Sequence, residues 1–168
     1  MRTLSMRGAL AVLLVVLGVA CGGSGTSSDA QQLLQEKADK WAIDQIEKNF
    51  HKATTLKDID LLMSLWAPHA TLSIGSELTA SGKDEIRQMW LEEGSAFQPG
   101  THLISDHPAY KLKITVSGDR GTLHFECHYV DFETGEMVLV TEADLDVARI
   151  DGRWLITNMV GGSTELTP

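Results

Sequence analysis

Cysteine is nearly absent from this chain: Cys21 and Cys127 are the only two in 168 residues. There is no CxxC pair, no HExxH, no GxSxG and no glycine-rich phosphate loop. Those absences remove the sequence support for zinc ribbons, zincin proteases, serine hydrolases and nucleotide-binding enzymes. No metal site and no cofactor is implied. Long apolar runs are also missing. The longest, Ala9 to Leu17, falls short of the ~20 apolar residues that span a bilayer. Positive charge is scarce, with 14 Lys and Arg against 23 Asp and Glu and a net charge of −9. That balance argues against nucleic acid and against direct adhesion to anionic lipid. No internal repeat is found.

What is present starts at the N-terminus. Arg2 and Arg7 precede the apolar run, and Gly18-Val19-Ala20-Cys21 and a Gly/Ser tract come after it. A positive end, a short apolar core and small residues at a cut are the order of an export signal. The segment resembles a bacterial lipoprotein signal, in which cleavage leaves Cys21 as a lipidated first residue. The leucine such signals carry three residues before the cysteine stands one step early, at Leu17, and Gly18-Val19-Ala20 also fits plain cleavage without a lipid. The expected organisation is a signal peptide over 1–20, a flexible linker with Cys21 over 21–30, and one domain over 31–168. Arg2 and Arg7 are the only charges in the first 20 residues, so removing them takes the net charge to −11. The expected location is the cell envelope, outside the cytoplasm, held to the membrane only through the lipid. With Cys21 lipidated, Cys127 is alone, in an alternating apolar strand, and reads as a small core residue.

The domain splits by period. Leu34, Ala38, Trp41 with Ile43, Ile46, Phe50 and Ala53 recur at helical spacing, which predicts a helix from Asp29 to about Ala53. Asp58 caps a second helix that Pro68 ends, and His69 to Ile74 reads as a strand. Ser81 with Asp84 resembles a capping box opening a third helix, Lys83 to Phe97, with Ile86, Met89, Trp90 and Phe97 as its stripe. After Gly100 the period becomes two. Strands are predicted around 110–116, 123–129, 137–147 and 154–158, punctuated by Ser117-Gly118-Asp119, Thr134-Gly135 and Asp151-Gly152. One sheet face is apolar and the other charged, so the predicted class is α+β, three helices on one side of a curved antiparallel sheet.

Three segments carry a family resemblance. Asp58-Ile59-Asp60-Leu61-Leu62-Met63-Ser64-Leu65-Trp66-Ala67, Gly82-Lys83-Asp84-Glu85-Ile86-Arg87 and Asp151-Gly152-Arg153-Trp154-Leu155-Ile156 resemble, in order and spacing, motifs of SnoaL-like (polyketide cyclase-like) domains in the nuclear transport factor 2-like superfamily. The resemblance implies a cone-shaped fold, a deep apolar pocket that takes a small apolar molecule, and a homodimer. It spans about Ile43 to Val160. The fold hosts both enzymes and binders, so residues must decide.

Ketosteroid isomerases of the superfamily use a carboxylate and a tyrosine. The matching positions here hold Ile74 and Phe50, so that chemistry has no carrier. Dehydratase-like members use a histidine in a context that Thr101-His102-Leu103-Ile104 resembles, and a second histidine whose place is Asp131. Their helix carboxylate falls on Phe50 or Lys52. What remains is a possible His102/Asp131 acid-base pair. By parity with Leu123, Phe125, Cys127 and Tyr129, Asp131 would face the pocket mouth, where an apolar wall suits a general base. It could equally begin the Asp131-Phe132-Glu133-Thr134-Gly135 turn. Tyr129 could donate to a ligand oxygen. Trp66 and Trp90 end helices that rim the family pocket, and Asn158 shares parity with Trp154 and Ile156, so these three are candidate ligand contacts. His124, Glu126 and His128, with Glu142, Asp144 and Asp146 beside them, read as a solvated face paired to Lys111 and Lys113 rather than a metal site. His51, near Asp44 and Glu47, reads as a surface histidine by a helix C-terminus. The first expectation is a binding module; the alternative is a cofactor-free lyase or isomerase.

Overall fold

The computed structural model describes residues 24–105 and 109–166. The stretch expected to be an export signal, with Cys21, and His107 with its two neighbours lie outside the described residues.

Helix α1 (Ser24–Leu56) begins inside the stretch expected as loose tether. Residues 27–38 are exposed, and burial starts at Asp39. Trp41 and Leu34, expected on the inner stripe, are 65% and 66% exposed. Trp41 is two residues from buried Ile43, and two residues on a helix point ~200° apart. Helix α2 (Ile59–Ser64) has the expected cap, with the Asp58 carboxylate accepting from the Leu61 amide at 2.9 Å. It stops before Pro68, because the chain passes directly into strand β1 (Trp66–Ile74), which contains that proline. Strand β2 (Leu78–Ser81) hairpins back on β1 and was not anticipated.

Helix α3 (Lys83–Glu93) starts at Gly82 with φ 85°, which suits glycine. No Ser81/Asp84 capping box forms; the Glu85 carboxylate accepts from the Ser81 amide instead, at 3.0 Å. The helix ends at Gly94, and Ser95–Phe97 is one 3-10 turn rather than its last turn. A Cβ on Gly94 would lie 2.5 Å from the Trp90 carbonyl oxygen and 2.7 Å from its ring. Only glycine lets the chain leave the helix so close to that indole.

Strands β3 (Leu103–Ser105), β4 (Tyr110–Ser117), β5 (Arg120–Asp131), β6 (Met137–Ile150) and β7 (Arg153–Glu165) complete the chain order. The sheet order is β2-β1-β7-β6-β5-β3, with β4 also paired to β5. β4 through β7 form the expected antiparallel meander, and Asp151-Gly152 turns with both φ positive, as a two-residue hairpin requires. The expected purely antiparallel sheet is corrected in one respect: β1 lies parallel to β7. The architecture is α+β, with the helices packed against one face of a curved sheet whose core includes Leu123, Phe125, Ala143, Leu145, Ile156 and Met159.

Two register slips matter for the site. β5 and β6 slip between Tyr129 and Val130, and β6 and β7 slip between Asp146 and Val147. Side chains alternate along a strand, so an extra residue moves those beyond it on its own strand to the other face; the extra residues are Val138 of β6 and Thr157 of β7. Past the second slip, Met159 is buried and Asn158 is not.

Candidate functional site

A cavity of about 150 Å3 lies between the helices and the sheet. Phe50 of α1 and Met89 and Trp90 of α3 form its roof, with Phe125, Tyr129 and Met159 of the sheet beneath. The 3-10 turn closes one side. Phe50 meets Trp90 edge-on, with centroids 5.6 Å apart at 76°, and Phe125 at 5.8 Å. Glu93 is the charged side chain on its wall; Glu142 also borders it, but its carboxylate pairs with His124 on the outer face, and no cation is among the described lining residues. An apolar cavity of this volume holds one six-membered ring.

Behind Tyr129 lies a buried polar cluster that joins His51, expected at the surface, to Cys127, expected in the core. His51 is 0% exposed and Glu47 is 2%. His51 Nδ1 lies 2.7 Å from Ser105 Oγ, and His51 Nε2 faces the Cys127 sulfur at 2.5 Å. The Glu47 Oε1 oxygen sits 3.0 Å from the same Nε2, but the sulfur holds the line of that nitrogen, and Glu47 Oε1 has no hydrogen-bond partner. Burial, and then the charge of Asp44, push the Glu47 carboxyl up to about 7, with Lys48 opposing. Burial pushes the Cys127 thiol up to about 12, so it is a thiol and not a nucleophile. Burial also raises the Tyr129 phenol, against hydrogen bonds with Thr54 and Ser105. The cluster arises because the inward face of α1 is Asp39, Ile43, Ile46, Glu47, Phe50, His51 and Thr54. The signal was available: Glu47 and His51 each come one residue after a core position, Ile46 and Phe50, on the same face. Polar residues in an apolar stripe were weighed as surface because polar groups usually are.

The other candidates are dispersed. The Asp131 carboxylate accepts from the amides of Glu133 and Thr134 at 2.8 and 3.0 Å, and these bonds hold its pKa below the usual range. The turn reading is the one the geometry fits, since β5 ends at Asp131 and its carboxylate closes the turn that follows. His102 pairs with Glu133 at 2.8 Å and lies against Phe132, with its side chain 40% exposed. Neither lines the cavity. Trp66 is 1% exposed in the core and does not line it either. Asn158 sits on the outer sheet face, accepting from Thr71 Oγ1 at 2.7 Å and donating to Asp146 at 3.3 Å. Of the named candidates, Tyr129 and Trp90 are on the cavity wall. On the outer face, Lys111 pairs with Glu126, and His124 with Asp144, as expected.

Comparison with known proteins bears this out at the level of fold. No curated protein matches the chain in sequence. A solved NTF2-like protein of unknown function from Pseudomonas putida has 15% identity and a TM-score of 0.65, covering 75% of this chain and 87% of its own. A hexachlorocyclohexane dehydrochlorinase, LinA-type3 from Novosphingobium barchaimii, has 18% identity and a TM-score of 0.63, covering 83% and 94%. A ketosteroid isomerase-like protein from Erwinia carotovora has 13% identity and a TM-score of 0.59, covering 77% and 98%. At these identities the likeness is one of fold. The SnoaL-like domain model matches residues 35–160, and the chain belongs to that family.

Proposed function

We propose that this protein is an exported, lipid-anchored domain that binds a small apolar molecule in the cavity beneath Phe50 and Trp90. The observation that carries the reading is the cavity itself: enclosed by aromatic and aliphatic side chains, about 150 Å3, and of the size of one ring. The export signal and Cys21 carry the anchor, since a lipid on that residue would tether the domain without a membrane-spanning helix. A cofactor-free lyase or isomerase built on His102 and Asp131 is supported less well. The first is paired outside the cavity and the second caps a turn.

Native mass spectrometry on detergent-extracted protein from its own host tests both parts. The expected spectrum has an acylated N-terminal cysteine and a retained apolar compound. A Cys21→Ser variant should lose the acyl mass, and an unmodified chain starting at Cys21 would remove the anchor. For the cavity, Ala143 is 3% exposed and on its wall. Ala143→Met should fill the space and cost at least tenfold in affinity for a ring-sized probe such as methylenecyclohexane, measured by isothermal titration calorimetry. Unchanged affinity would place the ligand elsewhere.

A further inference from the structure

Trp90 lines the cavity, and its indole nitrogen is buried with no hydrogen-bond partner among the described residues. An indole N–H is a donor only, and its direction is fixed by the ring. Here the ring is clamped. Gly94 lies so close that a single added carbon would strike it, Phe50 stands edge-on to it, and Phe97 lies 6.3 Å away. The hydroxyls on the same wall, on Ser95, Thr141 and Ser163, differ in kind, because each can rotate toward a neighbour or accept as well as donate. Tyr129 also differs, because Thr54 and Ser105 already engage it.

A buried donor left unmade costs on the order of 1–3 kcal/mol, and buried polar groups in native proteins are nearly always satisfied. We infer that the ligand supplies the missing acceptor: the cavity takes a ring-sized, mostly apolar molecule carrying one neutral acceptor oxygen, which Trp90 Nε1–H bonds. The oxygen is neutral because Glu93 is on the wall and no cation is among the described lining residues, so a carboxylate or phosphate would be repelled. Ketones, ethers and aldehydes on a single ring fit this description. Trp66 makes a useful contrast. Its nitrogen is also without a partner, yet it lies in the core away from the cavity wall and implies no ligand.

This inference rests on the cavity being the binding site, and the test separates the two. Cyclohexanone and methylenecyclohexane have nearly the same shape and differ by one oxygen. Both are titrated into the full-length chain in detergent, and into Trp90→Phe, by calorimetry. The expected result is that Trp90→Phe lowers cyclohexanone affinity about tenfold more than it lowers methylenecyclohexane affinity. A second readout uses the unaltered chain and does not depend on the variant folding. In 15N spectra the Trp90 indole N–H should move downfield with cyclohexanone and stay with methylenecyclohexane. If both probes bind but neither difference is seen, the inference is overturned and the cavity reading stands. If neither probe binds, both fall together.

Discussion

At pH 8 the Glu47→Gln variant should be more stable than the unaltered chain, by about 2 kcal/mol, although it removes a charged residue from the core. The expectation comes from where that charge sits. Glu47 is 2% exposed, its Oε1 oxygen has no hydrogen-bond partner, and its carboxyl is pushed up to about 7 from an ordinary 4.5. Between those two values the folded chain keeps a proton that the unfolded chain has released. Stability must therefore fall as pH rises from about 4.5 to about 7, and be flat above that window. A shift of this size corresponds to roughly 3 kcal/mol at most. Glutamine fills the same volume and does not titrate, so its curve should lack that fall. Urea unfolding at pH 4.5, 6 and 8 measures it. The two curves should meet at pH 4.5 and part by pH 8. Parallel curves would mean that His51, 3.0 Å away, already compensates the carboxylate in the folded state.

Arg149→Ala should destabilise the chain by about 2–3 kcal/mol, more than a surface ion pair contributes. Asp39 is 5% exposed, and Arg149 Nη2 lies 2.5 Å from its carboxylate. Trp154 Nε1 donates to the same oxygen at 3.3 Å and Gln35 at 3.0 Å. The guanidinium also stacks over Trp154, 4.9 Å from its centroid, and pairs with Asp119 at 3.0 Å. Burial alone would raise the Asp39 pKa, but the hydrogen bonds from Arg149, Trp154 and Gln35 and the charge of Arg149 more than offset it. Removing the arginine leaves a carboxylate in the core with two neutral donors. The figure is kept below that of a fully buried pair because the Arg149 side chain is 26% exposed. A depressed carboxylate contributes its stability above its unfolded value and loses it as pH falls through the folded one. The difference between Arg149→Ala and the unaltered chain should therefore shrink below about pH 4. An Asp39→Asn, Arg149→Ala double variant measures the coupling, and a coupling near zero would demote the pair to surface chemistry.

These two sites show which information was local. Strand positions, hairpin turns and the Asp58 cap were legible because each depends on a few neighbours: a period of two, a glycine at positive φ, a carboxylate three residues before an amide. The family resemblance was legible for a related reason, since its motifs lie at the caps and closing strand that organise the fold. The sequence by itself therefore determined the α+β class, the identity of most core strand residues and the apolar character of the interior.

Facing was decided by the tertiary structure. One residue of slip opposite Asp146 and Val147, with Thr157 as the extra residue of β7, sent Asn158 to the outer face, while β5 ends at Asp131 and that carboxylate closes the following turn. A slip costs little locally and is set by how β6 fits both neighbours at once, which no window along one strand contains. The parallel seat of β1 beside β7 joins residues far apart in the chain, so no local pattern encodes it. The inward turn of Glu47 and His51 was decided the same way. A helix presents a whole face, and once Ile43, Ile46 and Phe50 dock, the polar residues between them are carried inside whatever their own preference. β3 and β5 bring Ser105 and Cys127 to meet His51, whereas Glu47 Oε1 is left without a hydrogen-bond partner.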